Sequence, residues 1–213
     1  MKYKAVIFDM DGVIVNSELA YYDQVLNHFR ELNQPFGWAD YVPLIGMNHD
    51  DSWRILRDLA KSELSPEEFF QSHLEYCKHH PVNYKLILNP DFHRTYNFIK
   101  EKGLKVALAS SSKLTLIQEM IKQNKLDNYF DVIYSGEMVE ISKPHPDIYL
   151  KTAKELGVIP EECLVMEDSI FGVTAAKAAN MTVLGLRNSS YVVDLSHSDD
   201  VVDRMSYLMD WIK

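Results

Sequence analysis

The sequence predicts an α/β protein: a doubly wound, Rossmann-like parallel sheet with a small α-helical cap inserted after its first strand. Three observations carry that expectation. Short apolar runs without polar alternation, Ala5-Val6-Ile7-Phe8, Val106-Ala107-Leu108-Ala109, Val132-Ile133-Tyr134, Leu164-Val165-Met166 and Val183-Leu184-Gly185-Leu186, read as strands buried on both faces. The segments between them have helical period, which implies parallel strands joined through helices. Between about Val15 and Leu88 the buried runs vanish and helical patterns take over. The predicted boundaries are 1–15 and 88–213 for the α/β core and 16–87 for the helical cap.

The first strand runs straight into Asp9-Met10-Asp11-Gly12. Two carboxylates two residues apart at a strand's C-terminal end rarely serve packing, although Asp and Gly are also ordinary turn residues. Like charges this close stay ionised only if a cation or a shared proton compensates, so the pair implies a divalent metal, general acid/base work, or both.

In the inserted segment, Leu19, Tyr22, Leu26, Phe29 and Leu32 repeat at helical spacing, as do Trp53, Leu56 and Ala60. Ser65-Pro66-Glu67-Glu68 combines an N-cap, a first-turn proline and a capping-box glutamate, so another helix starts there. Its Phe69, Phe70, His73 and Cys77 are read as core. Two hinges are expected, near Val15-Asn16-Ser17 and from Lys85 to Pro90.

Beyond the cap, Phe92, Tyr96 and Ile99 mark a helix ended by Gly103, Leu114, Ile117 and Ile121 mark another, and Ile148, Thr152 and Leu156 a third ended by Gly157. Three further polar groups follow apolar runs: Ser110 with Ser111 and Ser112, Lys143, and Glu167 with Asp168. Each has an ordinary reading, as an N-cap cluster, a loop lysine in Lys143-Pro144-His145-Pro146, and a helix start. Ligands of open α/β sheets bind at the carboxyl ends of the strands, so all four clusters should converge on one crevice.

These four segments resemble the motifs of the haloacid dehalogenase-like superfamily, in its phosphatase and β-phosphoglucomutase branch. Phe8-Asp9-Met10-Asp11-Gly12-Val13-Ile14 is similar to the first motif, Ala109-Ser110-Ser111-Ser112 to the second, Lys143-Pro144 to the third and Val165-Met166-Glu167-Asp168-Ser169 to the fourth. The resemblance spans nearly the whole chain. It implies Asp9 as nucleophile, Asp11 as acid/base, Ser110, Ser111 and Lys143 as phosphate ligands, and Mg²⁺ held by Asp9, Asp11, Glu167 and Asp168. Elementary chemistry agrees: a phosphate monoester dianion needs its charge neutralised, a nucleophile in line and a proton for the leaving oxygen.

The cap departs from the mutase pattern. By motif spacing Tyr21 and His49 stand where the β-phosphoglucomutases carry a histidine and an arginine. The loop Gly46-Met47-Asn48-His49-Asp50 lies where a substrate loop is expected, which makes Gly46, Asn48 and His49 candidate substrate contacts; His49 also reads as a solvated loop histidine. The expected function is therefore Mg²⁺-dependent hydrolysis of a small phosphorylated metabolite, a sugar phosphate among them, through an aspartyl-phosphate. A phosphosugar mutase is the alternative. A catalytically silent phospho-ligand binder fits intact Asp9 and Asp11 less well, and dehalogenation needs neither Asp11 nor a metal.

Composition narrows the partners. The chain has 213 residues, 46% hydrophobic and 25% charged, enough for a substantial core. A formal net charge of −9 disfavours nucleic acid, whose backbone calls for a basic surface. Two cysteines, Cys77 and Cys163, are too few for a disulfide framework or zinc site, which favours a reducing cytoplasm. No signal peptide and no membrane-spanning run is expected. The oligomeric state stays open, a monomer being compatible.

Overall fold

A computed structural model describes residues 2–47 and 49–213, without the side chains of His49 and Asp50. Six parallel strands, β1 (Ala5–Phe8), β2 (Lys105–Ser110), β3 (Val132–Ser135), β4 (Cys163–Glu167), β5 (Thr182–Leu186) and β6 (Asp200–Val202), form one sheet in the order β3-β2-β1-β4-β5-β6. This is the doubly wound arrangement. The order reverses between β1 and β4, and the crevice that reversal opens lies at their C-terminal ends.

Strand alternation divides the core into two layers. Val6, Phe8, Val106, Leu108, Leu164 and Met166 face one side, against α5 (Phe92–Glu101), α6 (Leu114–Asn124) and α9 (Leu208–Trp211). Ala5, Ile7, Ala107, Ala109 and Val165 face the other, against α7 (Asp147–Leu156) and α8 (Ile170–Ala178). The predicted glycine ends hold: Gly103 and Gly157 both take positive φ. The serines do not cap α6. Its N-cap is Lys113, and Leu114 N–H instead donates to Glu137 at 2.8 Å.

Between β1 and β2 lie α1 (Glu18–Glu31), α2 (Trp38–Tyr41), α3 (His49–Leu59) and α4 (Pro66–His79), which bury a third apolar cluster around Val25, Phe29, Leu56 and Phe69. Ser65 forms the expected capping box, accepting from Glu68 N–H while Glu68 accepts from Ser65 N–H. The buried face of α1 differs from the expected one. Glu18, Val25, His28 and Phe29 are buried, whereas Leu19 and Leu32 are exposed, because two polar residues find partners inside. The chain leaves and re-enters the sheet region through adjacent segments, with Asn16 N–H donating to Ile87 C=O and Asn89 N–H to Ile14 C=O, each at 2.8 Å.

His28 of α1 meets His73 of α4 with their Nδ1 atoms 3.3 Å apart, and His73 Nε2 lies 3.1 Å from Cys77 Sγ. Burial, with His28 adding, pushes the His73 imidazole down to about 3. The unfolded chain, with its histidine at the ordinary 6.5, therefore binds more protons between those values. Stability from this neutral histidine is complete above about pH 6.5 and is lost as pH falls toward 3. Thermal unfolding followed from pH 7 to 4 should show a midpoint that falls more steeply for the wild type than for His73→Gln; equal slopes would remove His73 from the account.

Candidate active site

Asp9 follows β1 directly, its N–H donating to Met166 C=O at 3.1 Å, so the sheet ladder itself aims its carboxylate into the crevice. Lys143, 1% exposed, enters from the β3–α7 connection and bridges the ends of three strands: its ammonium lies 2.7 Å from Asp9 Oδ1, 2.6 Å from Glu167 Oε1 and 3.0 Å from the Ala109 carbonyl. Burial works to lower the Lys143 pKa, but the Asp9 and Glu167 carboxylates outweigh it and hold the ammonium well above its ordinary value.

Glu167 is spent on neighbours. Oε1 accepts from Lys143 and from the Tyr149 hydroxyl at 2.9 Å, and Oε2 accepts from Asp168 N–H, Ser169 N–H and Ser169 Oγ at 3.0–3.1 Å. Asp168 accepts from the Tyr191 hydroxyl at 2.5 Å through Oδ2. Asp9, Glu167 and Asp168 each offer an oxygen within 4.8 Å of the others. Burial, then mutual repulsion, pushes Asp9 and Asp168 well above the carboxylate range, Lys143 opposing this at Asp9. One ammonium does not balance three buried carboxylates. This hard, all-oxygen, negatively charged donor set fits Mg²⁺, which prefers a few carboxylates and oxygen ligands.

Asp11 turns the other way, toward the helical segment. Ser17 Oγ donates to its Oδ1 and Ser112 Oγ to its Oδ2, both at 2.5 Å. Burial raises its pKa, while hydrogen bonds from Ser112, Ser17 and Tyr21 pull it back. A carboxyl held in this balance suits a group that gives and takes a proton. Gly12 makes the turn just after the two aspartates possible: its φ is +75°, and an added Cβ would lie 1.7 Å from Asp168 Oδ2.

Ser110, at the end of β2, accepts from Ser112 N–H at 3.0 Å, and the buried Ser111 hydroxyl has no partner among the described residues. Gly46 lies against Ser169, where an added Cβ would come within 2.3 Å of the serine Cβ, so it brings the inserted segment over β4's end. Asn48 lies outside the described residues, as does the side chain of His49. Of the predicted site residues, Asp9, Asp11, Gly46, Ser110, Ser111, Lys143 and Asp168 line one cavity of about 540 Å³ that extends from Asp9 between α1, α3 and α4, whereas Glu167 lies behind it. Phe70, His73 and Cys77, expected as core, line it too.

Sequence reasoning passed over Glu18, Tyr149 and Tyr191. Glu18, buried beside Asp11, has its pKa pushed up to about 8 by burial and by that neighbour, and it accepts from the Tyr41 hydroxyl at 2.9 Å. Its position next to Ser17, just past the first motif, is a local signal. Tyr149 and Tyr191 have none, because only folding brings them to Glu167 and Asp168.

A family model described as haloacid dehalogenase-like hydrolase matches residues 6–186, which contain all four strand-end motifs. The chain is a haloacid dehalogenase-like hydrolase. Among this hydrolase's relatives, the phosphorylated carbohydrates phosphatase of Thermotoga maritima is 33% identical over 178 residues, covering 84% of this chain and 82% of that protein. Hexitol phosphatase B of Escherichia coli is 32% identical over 184 residues, covering 83% of the hydrolase and 80% of its relative. The crystal structure of the β-phosphoglucomutase of Clostridium difficile superposes with a TM-score of 0.82 at 23% identity, over 99% and 97% of the two chains, a likeness of fold alone.

Proposed function

We propose that this hydrolase cleaves a small phosphate monoester by way of an aspartyl-phosphate on Asp9. The observation that carries the reading is the division of labour between two aspartates: Asp9 is paired with a buried ammonium at 2.7 Å, and Asp11 is held by neutral hydroxyls and faces the cavity. Asp9 attacks phosphorus while the bond to the leaving alkoxide breaks and Asp11 gives that oxygen its proton. Asp11, now a carboxylate, takes a proton from water as the water attacks the aspartyl-phosphate, which releases inorganic phosphate and restores both groups. Lys143 offsets the charge of the phosphoryl oxygens, and the free Ser111 hydroxyl with Ser110 supplies hydrogen bonds to them.

Asp9 and Asp168 would hold Mg²⁺ with the Asp11 carbonyl, while Glu167, its lone pairs taken, keeps Lys143 in place. When bound, the ion supplies charge neutralisation for the phosphate and a template that aligns it with Asp9. Residues 16–87 act as a cap that pivots at the paired segments around Val15 and Leu88 and excludes bulk water on closing. Both cysteines are free, in keeping with a cytoplasmic setting. Chelation is expected to reduce phosphate release to background, with Mg²⁺ restoring it and Ca²⁺ restoring little, since its longer, looser coordination misaligns the attack. Full activity in excess chelator would remove the metal from this reading.

The names of its relatives make phosphorylated carbohydrates the first class to test, in a metabolite panel scored separately for free phosphate and for isomerised product. Tyr21, which stands where the mutases have a histidine, pairs its hydroxyl with that of Tyr84 at 2.8 Å and offers no charge to a second phosphate. β-Glucose 1-phosphate with a bisphosphate primer should therefore yield inorganic phosphate or no reaction. Robust, primer-dependent glucose 6-phosphate in a coupled dehydrogenase assay would promote the mutase alternative.

A further inference from the structure

We propose that the part of the substrate beyond the phosphate ester is predominantly apolar, an alkyl or aryl group rather than a fully hydroxylated sugar; this rests on the phosphatase reading and narrows it. The cavity has two chemically distinct ends. At the floor stand Asp9, Asp11, Lys143 and the serines of the β2 end, whereas the wall beyond them is built from Val25, Leu56, Phe70, Leu74, Val82 and Leu116. These side chains come from three cap helices, the segment returning from the cap, and α6, so the apolar character surrounds the space rather than forming one stripe.

Most polar side chains of that wall already have partners within the protein. The Tyr21 and Tyr84 hydroxyls pair at 2.8 Å, Tyr41 donates to Glu18 at 2.9 Å, and Gln24 donates to the His80 carbonyl at 2.6 Å. His73 is held between His28 and Cys77. The two lysines are engaged as well: Lys78 pairs with Glu75, and Lys113 Nζ lies 4.3 Å from the centre of the Phe70 ring. A sugar carries about one hydroxyl per carbon, and each one buried without a partner opposes binding, while each methylene buried on the same wall favours it. A cavity of about 540 Å³ has room for a group well beyond the phosphate, so this difference should be felt over several carbons.

The experiment uses the intact wild-type protein with Mg²⁺ and two series of unactivated esters that release primary alkoxides. One is n-propyl to n-hexyl phosphate; the other is glycerol 3-phosphate, erythritol 4-phosphate and sorbitol 6-phosphate. Expected is a kcat/KM that climbs about threefold to fourfold per added methylene in the alkyl series until the cavity is filled, and stays flat or falls along the polyols. Leu74→Asn, half-buried on α4, should flatten the alkyl climb. A polyol series that climbs while the alkyl series is flat overturns the apolar assignment and leaves the phosphatase reading standing; flat response in both series, or an unaltered alkyl slope in Leu74→Asn, overturns the assignment too. Hydrolysis of neither series, together with no phosphate release across the metabolite panel, sinks both readings.

Discussion

Asp9→Asn is expected to lower phosphate release by at least about a thousandfold while the protein remains folded. An amide oxygen is a poor nucleophile toward phosphorus and cannot carry the covalent phosphoryl group as a carboxylate does. The substitution is close to isosteric, and its Oδ1 can still accept from the Lys143 ammonium that now lies 2.7 Å away, so the buried lysine keeps a partner. The backbone bond from residue 9 to Met166 is untouched as well. Steady-state phosphate release and circular dichroism on the same sample check the two halves of the expectation. Wild-type turnover in a folded Asp9→Asn protein would end the covalent mechanism.

Lys143→Met should damage stability and activity together. The wild-type ammonium is 1% exposed and serves Asp9 and Glu167 at once, so its removal leaves two buried carboxylates facing each other without a counter-charge. Breaking a buried ion pair from one side costs on the order of 3–5 kcal/mol, and loss of a fixed positive charge at a phosphoryl group costs about a hundredfold or more in rate. Denaturant unfolding without divalent metal should show the full loss of stability. Added Mg²⁺ should recover part of it, because a cation at Asp9 and Asp168 relieves the same repulsion, whereas activity should stay low. A variant as stable as the wild type without metal would mean that the Lys143 bridge does not carry the charge balance of the crevice.

Much of the architecture was legible because its cause is local. Buried parallel strands must be apolar on both faces, so Val6 to Phe8, Val106 to Ala109 and Leu164 to Met166 read as strands without any knowledge of their neighbours. The capping box at Ser65 and the glycine ends at Gly103 and Gly157 are likewise written within a few residues. The strand β6 escaped because Asp200 to Val202 is three residues long, with a charged start, and exists as a strand only through its pairing with β5. The face of α1 was displaced for a related reason. Period identifies a helix, but which polar residues are buried depends on whether a partner arrives from elsewhere, as Tyr41 does for Glu18 and His73 for His28.

The same distinction runs through the candidate site. Position in the chain, together with the resemblance to the family's four motifs, pointed to Asp9, Asp11, Ser110, Lys143, Glu167 and Asp168 as candidates, since groups placed at the C-terminal ends of parallel strands meet at the switch point of the sheet. It could not say that Glu167 spends its lone pairs on Lys143, Tyr149 and the turn after β4, nor that Asp168 is held by Tyr191 from a loop beyond β5. Nor could it show that Phe70, His73 and Cys77 line the cavity as well as the helix interface. An amphipathic pattern records that a side chain leaves water; what it packs against, and whether a space for substrate remains beside it, is decided when segments far apart in the chain close around one another.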